Sequence, residues 1–230
     1  MDSMDISDYV MTLYNEKDKQ LDINLLITED LAKRGVLETT KKAFLLGEYP
    51  IIDMVFYGLK EYVENNDSEI DRITINVKFD LESEESKNKA KNVVDLLSNK
   101  NTAKNLTWYQ LKKNAHFYYS GRLKEIEDNL NTIKTNELIE DVKAMGYFGA
   151  LAVVSIAFGS YLNEIGLLDL GFYLIAAGLL VPKIAEKAEK SGELYDLRIE
   201  KEDDYRILGE LEKKLDEILD KAEIKYNFYF

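Results

Sequence analysis

Two carboxylates, Glu164 and Asp169, are the residues whose position most suggests chemistry. They are the only charged residues between Lys143 and Lys183, in a chain that is 32% charged overall. An ionisable group inside an apolar membrane segment costs about 2.5–3.5 kcal/mol at the centre of a helix, so it marks a candidate ion pathway. Copies of either carboxylate from several chains would form an acidic ring around a pore.

A structural role is the alternative for both carboxylates. Asp169 lies about one turn from the tip of the hairpin predicted below, where it can cap a helix that starts at Leu170. We favour this role for Asp169. A hydrated position at the hairpin tip is favoured still more strongly for Glu164.

The elements that would position these carboxylates are two apolar helices, at 144–162 and 167–182, joined by a polar turn at 163–166. A membrane-spanning helix needs about 20 mainly apolar residues, a length that the first arm meets and the second falls short of. We therefore predict a transmembrane hairpin over 144–182. Basic residues flank it on both sides and none lies in the tip, which predicts a two-pass protein of the cell membrane with both termini in the cytoplasm.

Few residue patterns support an enzyme. The chain has no cysteine and one histidine, His116, and it contains no P-loop, zinc-protease or calcium-loop motif. One histidine and no cysteine are too few for a catalytic triad or a histidine metal cluster within one chain. We interpret His116 as a packing residue of a helical stripe. The net charge of −13 argues against nucleic acid as a partner. We expect no enzymatic activity, catalytic residue, cofactor or metal, and no small-molecule ligand is identifiable.

Alternating sequence predicts a small sheet. Apolar and polar residues alternate over 72–81, which indicates a half-buried strand, and a lone strand needs a partner. The tail at 224–230 alternates in the same way and is the predicted partner. The run 21–27 could supply a third strand or begin a helix.

The remaining N-terminal segments read as helices. One short helix is predicted at 9–14, and Thr28 is predicted to cap a helix over 29–46. Pro50 suits the first turn of the next helix. Ser83 suits the N-cap of another helix, which begins near Glu85.

Two long segments flank the hairpin with helical spacing. Within the segments 101–143 and 183–223, mainly apolar residues recur every three or four positions over 116–133 and 208–222, the spacing of coiled coils. If the two helices leave the hairpin side by side, Leu211 faces Ala115 and Leu215 faces Leu111. We therefore predict a helical stalk packed along this seam.

Together these patterns predict a mainly α fold: a two-helix transmembrane hairpin on a helical, coiled-coil stalk, with a small α+β N-terminal head. The predicted domains are the head at 1–100, a stalk helix at 101–143, the hairpin at 144–182, a return stalk helix at 183–223 and a strand at 224–230.

The function expected from this architecture is that of a non-enzymatic membrane anchor, scaffold or interaction module. Its expected partners are the lipid bilayer and further copies of the chain, which small residues in both arms would let approach closely. One alternative is an oligomeric pore-forming or ion-conducting protein with Asp169 or Glu164 in its lining. Another is a soluble helical protein whose hairpin is buried or inserts only conditionally.

Overall fold

The structure is a computed structural model. It describes residues 7–39, 49–98, 100–161 and 168–230, with the side chains of all but 100–104, 154–161 and 168–178. The chain divides into two compact units, Met1–Gly121 with Leu208–Phe230, and Arg122–Ile207. The division into five domains predicted above stays a prediction.

The described residues are mainly helical and include one small sheet. In chain order the elements are a 3₁₀ turn at Ser7–Tyr9, β1 (Val10–Asn15), β2 (Gln20–Thr28), α1 (Glu29–Lys33), α2 (Pro50–Asn65), β3 (Arg72–Asp80), α3 (Glu84–Ser98), α4 (Lys100–Tyr161), α5 (Leu168–Lys221) and β4 (Glu223–Tyr229).

The four described strands form one mixed sheet in the order β1-β2-β3-β4. Strand β1 runs antiparallel to β2, whereas β2, β3 and β4 run parallel to one another. The predicted pairing of the tail is confirmed, since Ile73 lies opposite Ile224 and Val77 opposite Phe228. The run 21–27 is a strand, which resolves the alternative left open by its short apolar sequence.

Alternation places most apolar side chains of β2, β3 and β4 on one face of the sheet, which the helices cover. Helix α2 packs on β1 and β2, and α3 packs on β4. At Gly58 a Cβ atom would lie only 2.8 Å from Cγ1 of Val10, so α2 needs glycine at this contact. The side chains at the centre of this core have no exposed surface: Leu21, Ile23, Ile27, Ile52, Leu59, Ile73, Ile75 and Val77.

In the first unit, α4 and α5 pack along the predicted seam. Leu111, Ala115 and Leu215 are buried, and the Lys112 ammonium lies 3.8 Å from Oδ1 of Asp216. The same ammonium lies 2.8 Å from Oδ1 of Asp220, so these ion pairs do not fix the register, and the pairing of 111 with 215 stays a prediction. The seam itself is confirmed.

The interpretation of His116 as a packing residue is wrong. Its side chain is 73% exposed, and Nδ1 lies 3.4 Å from Oε1 of Glu212 on α5. His116 therefore sits at the margin of the seam, beside a carboxylate.

Glu29 joins α1 to the start of α3. Its carboxylate accepts hydrogen bonds from the backbone N–H groups of Glu82 and Ser83 and from the Ser86 hydroxyl, at 3.0–3.2 Å. The hydrogen bonds from Ser83, followed by those from Glu82 and Ser86, lower the pKa of Glu29 from 4.5 to about 2. As predicted, Ser83 also caps α3, because its Oγ accepts from the N–H of Ser86.

Two local predictions near the N-terminus are wrong. Residues 10–15 form strand β1 because Asn15 Oδ1 accepts from the N–H groups of Lys17 and Asp18, which turns the chain back into β2. Thr28 caps α1 as predicted, but α1 ends at Lys33 and Gly35 follows with φ +92°. Residues 40–46 of the longer predicted helix lie outside the described residues.

The transmembrane hairpin is not supported. Within the described part of the chain, no helix is long and apolar enough to cross a membrane. Ion-paired charges lie close to both predicted arms, at Lys143 before the first and at Lys187 after the second. The predictions of a two-pass topology and a cell-membrane location are therefore wrong. The predicted tip at 163–166 lies outside the described residues.

The seam between α4 and α5 predicts the effect of one buried charge. We expect Leu215→Asp to lower the free energy of unfolding by about 3–5 kcal/mol, because an unpaired carboxylate would replace a fully buried leucine. Lys213→Asp, at a side chain that is 80% exposed, should change it by less than about 0.5 kcal/mol. Chemical denaturation measures both. Equal effects in the two variants would contradict the seam.

The Glu29 contacts predict a pH dependence. Because the folded pKa of about 2 lies below the value of the unfolded chain, Glu29 stabilises the fold above about pH 4.5, and this contribution is lost as the pH falls towards 2. Glu29→Gln should therefore be less stable than the parent at pH 7, with the difference shrinking towards pH 2. Glu84→Gln, at a residue 81% exposed, is the matched control and should show no such convergence in thermal melts.

Candidate interaction surface

The second unit is a pair of helix segments, residues 122–161 of α4 and 168–207 of α5, that contact each other along a seam. Buried apolar side chains from both segments contribute to it at Leu130, Ile133 and Ile184. On α4 the same three-four spacing continues from Ile133 to Glu137 and Glu140, so charged side chains enter the seam at these positions.

The charged part of the seam is held by ion pairs between the two helices. Glu137 and Glu140 are only 14% and 15% exposed. The pairs are Lys134 with Glu202 at 3.1 Å, Glu137 with Arg198 at 3.3 Å, and Glu140 with Lys187 at 3.1 Å. Such pairs align two helices but add little net stability, because desolvation offsets most of the attraction.

The carboxylate of Glu140 forms ion pairs with two lysines, Lys143 and Lys187. Hydrogen bonds from Lys143 and then Lys187 lower the pKa of its carboxyl group. Next to it, the Ser191 hydroxyl donates to Asp141 Oδ1 at 2.5 Å. Each of these contacts between α4 and α5 favours one alignment of the helices over neighbouring registers.

Away from the seam, α4 presents an apolar stripe to solvent. Leu138, Val142 and Met145 are 64%, 59% and 71% exposed, and the spacing of four and three residues continues to Gly149 and Ala152, which are also exposed. We call these five residues the α4 stripe. Their spacing is the a/d pattern with which one helix packs against another.

Other apolar side chains of the helix pair are also exposed. Ile139 and Phe148 are 44% and 57% exposed on the same helix, and Tyr195 and Ile199 are 48% and 42% exposed on α5. Extensive exposed apolar surface is typical of interaction sites. Part of the seam between the helices is thus charged, while apolar side chains face solvent.

The structure does not place the side chains of the two sequence-predicted site residues. Glu164 lies outside the described residues, as does the side chain of Asp169, whose backbone belongs to α5. The α4 stripe was missed because three of its five residues, Met145, Gly149 and Ala152, were assigned to the predicted membrane span. The sequence did contain a signal for this stripe. Its apolar spacing starts at Leu138, before Lys143 and among charged residues, where a lipid-facing segment would not begin.

No protein family, curated protein or solved structure matches this chain.

The polar seam predicts a double-mutant result. Glu137→Leu alone should lower the free energy of unfolding by about 1–3 kcal/mol, because it leaves the guanidinium of Arg198 without its partner. Nε of Arg198 is already buried without a hydrogen-bond partner among the described residues. Adding Arg198→Leu should restore the parent stability or exceed it. Additive losses in the double variant, measured by chemical denaturation, would contradict this account of the seam.

Proposed function

We propose that this chain is a non-enzymatic scaffold that self-associates through the α4 stripe. The observation that carries the proposal is the exposure of Leu138, Val142 and Met145 at heptad spacing, on the side of α4 that does not face the seam. A second copy presents the same pattern, and two-fold pairing of identical patches is the commonest form of protein assembly.

Residue sizes along the stripe suit an antiparallel pairing of two α4 helices. With the two-fold axis between Val142 and Met145, each of these residues packs on the other in the second copy. Leu138 of one copy then lies opposite Gly149 of the other. Large side chains thus meet small ones, which lets the helix backbones approach closely along the stripe.

The proposed contact leaves the seam of each copy intact. Burial of Leu138, Val142 and Met145 in both copies contributes on the order of 10 kcal/mol. Association costs about 4–15 kcal/mol in lost translational and rotational freedom. The balance predicts a reversible assembly that depends on concentration.

The most strongly shifted titratable groups also suit a non-enzymatic role. The carboxylate of Glu29 holds the start of α3 through its hydrogen bonds. Burial raises the pKa of Tyr226, whose hydroxyl lies 2.9 Å from Oγ1 of the buried Thr107. Both groups are occupied in joining elements of the first unit.

Light scattering after size exclusion tests the assembly. The full chain should show a mass above its 26.5 kDa monomer at concentrations of tens of micromolar. Val142→Glu should return it to the monomer, because two carboxylates would be buried beside Met145 of the other copy. Ile207→Glu is the matched control, at a β-branched residue 47% exposed outside the stripe, and should assemble like the parent.

Two results would contradict the proposal. One is a parent chain that stays monomeric up to about 100 µM. The other is an equal loss of assembly in Val142→Glu and Ile207→Glu, which would indicate general repulsion rather than a specific stripe.

A further inference from the structure

The face of the sheet opposite the core carries a row of three asparagines. Asn24, Asn76 and Asn227 lie directly opposite one another on β2, β3 and β4. Nδ2 of Asn227 donates to Oδ1 of Asn76 at 2.9 Å, and Nδ2 of Asn76 donates to Oδ1 of Asn24 at 3.0 Å. Asn24 donates in turn to the backbone carbonyl of Met11 at 3.3 Å. The three amides form a hydrogen-bonded ladder across the sheet.

The direction of this ladder is fixed by its first member. The Met11 carbonyl can only accept, so the atom of Asn24 that faces it has to be the amide nitrogen. Each following amide is then oriented by the one before it, and a reversed ladder would place two acceptors together at Met11. The outward atom of Asn227 is therefore Oδ1, and no hydrogen bond links it to the residues that the structure describes.

Strand β4 is an edge of the sheet formed by the described strands. On its open face the two residues beside Asn227 are Lys225 and Tyr229, and Tyr229 lies opposite Lys78 of β3. Both lysines are exposed, and neither forms an ion pair with a described residue. In a chain of net charge −13, β4 and its neighbour β3 thus present one amide oxygen and two lysines that have no partner among the described residues.

We infer that β4 binds an extended peptide segment of another protein, which adds as a fifth strand to the sheet. The segment carries a hydrogen-bond donor such as Asn, Gln, Ser or Thr opposite Asn227. It carries acidic residues two positions to either side, one opposite Lys225 and one opposite Tyr229, the residue that separates it from Lys78 of β3. Strand addition supplies main-chain hydrogen bonds, and the alternate side chains supply specificity. The ladder strengthens the outer acceptor, because each amide polarises the next.

A second copy of this strand fits the edge poorly. Two β4 strands paired antiparallel about Asn227 would bring two Oδ1 acceptors together, and neither amide could turn without breaking its own ladder. The charges also favour an acidic segment of another protein. A second copy would bring its own Lys225 to this edge, and like charges repel. This inference is independent of the α4 stripe.

Fluorescence anisotropy with a labelled peptide, Thr-Val-Glu-Val-Asn-Val-Glu, tests the inference on the full chain. We expect saturable binding that weakens with salt. Asn227→Leu should weaken it about fivefold through loss of the acceptor, and Lys225→Glu about tenfold through charge reversal. Lys91→Glu, an equal charge reversal at an exposed position on α3, should leave binding unchanged. A peptide with Leu in place of Asn should bind the parent about fivefold more weakly.

Each contrary outcome overturns the inference. Absence of saturable binding by the parent rules out strand addition of this chemistry. Equal binding by the parent, Asn227→Leu and Lys225→Glu shows that the edge is not the site. Circular dichroism shows whether a variant that no longer binds is still folded. If Asn227→Leu unfolds, Lys225→Glu still tests the site, because Lys225 takes no part in the ladder.

Discussion

The pairing of β4 with β3 is the contact on which the rest of the first unit depends. It places Asn227 opposite Asn76, so the last described strand adds to a sheet whose other members come from the first 80 residues. Two long helices lie between β3 and β4 in sequence. Because the chain has to return to β3, α4 and α5 run antiparallel where Lys112 pairs with Asp216 and Asp220. The buried hydroxyls of Thr107 and Tyr226 then tie α4 to the returned strand.

In part of the second unit, charged side chains lie in the seam and apolar side chains face solvent. The seam contains Glu137, Glu140 and their basic partners as well as the buried Leu130, Ile133 and Ile184, whereas Leu138, Val142 and Met145 are exposed. The ion pairs align the two helices but add little net stability. Burial of the exposed stripe between copies would add free energy that the single chain does not gain. This is the physical basis of the scaffold proposal.

The sequence predicted the elements whose patterns are unambiguous. Strict alternation identified β3 and its pairing with the tail, and hydroxyl caps located the starts of α1 and α3. Helical spacing located the seam between α4 and α5, in which Leu111 and Leu215 are buried. Strand β1 was missed because it is a short edge strand whose open face carries Met11 and Leu13, 56% and 55% exposed, which hides the alternation.

The candidate site could not be predicted in the same way. Hydropathy reports how apolar a segment is, but lipid and a protein partner both bury apolar side chains. The apolar run after Lys143 was therefore assigned to a membrane, although no described helix can span one. The asparagine ladder was invisible for a different reason. Asn24, Asn76 and Asn227 are far apart in sequence, and only the register of three parallel strands brings them into one row.

Because the chain contains no cysteine, two introduced thiols can report directly on the contact between copies of α4. The most direct measurement mixes equal amounts of a Val142→Cys chain and a Met145→Cys chain and oxidises them under mild conditions. The account predicts a disulfide-linked heterodimer in the mixture, formed faster than the homodimer of either chain alone and faster than the link between two Ile207→Cys chains. Cross-linking in the mixture no faster than between Ile207→Cys chains would contradict it.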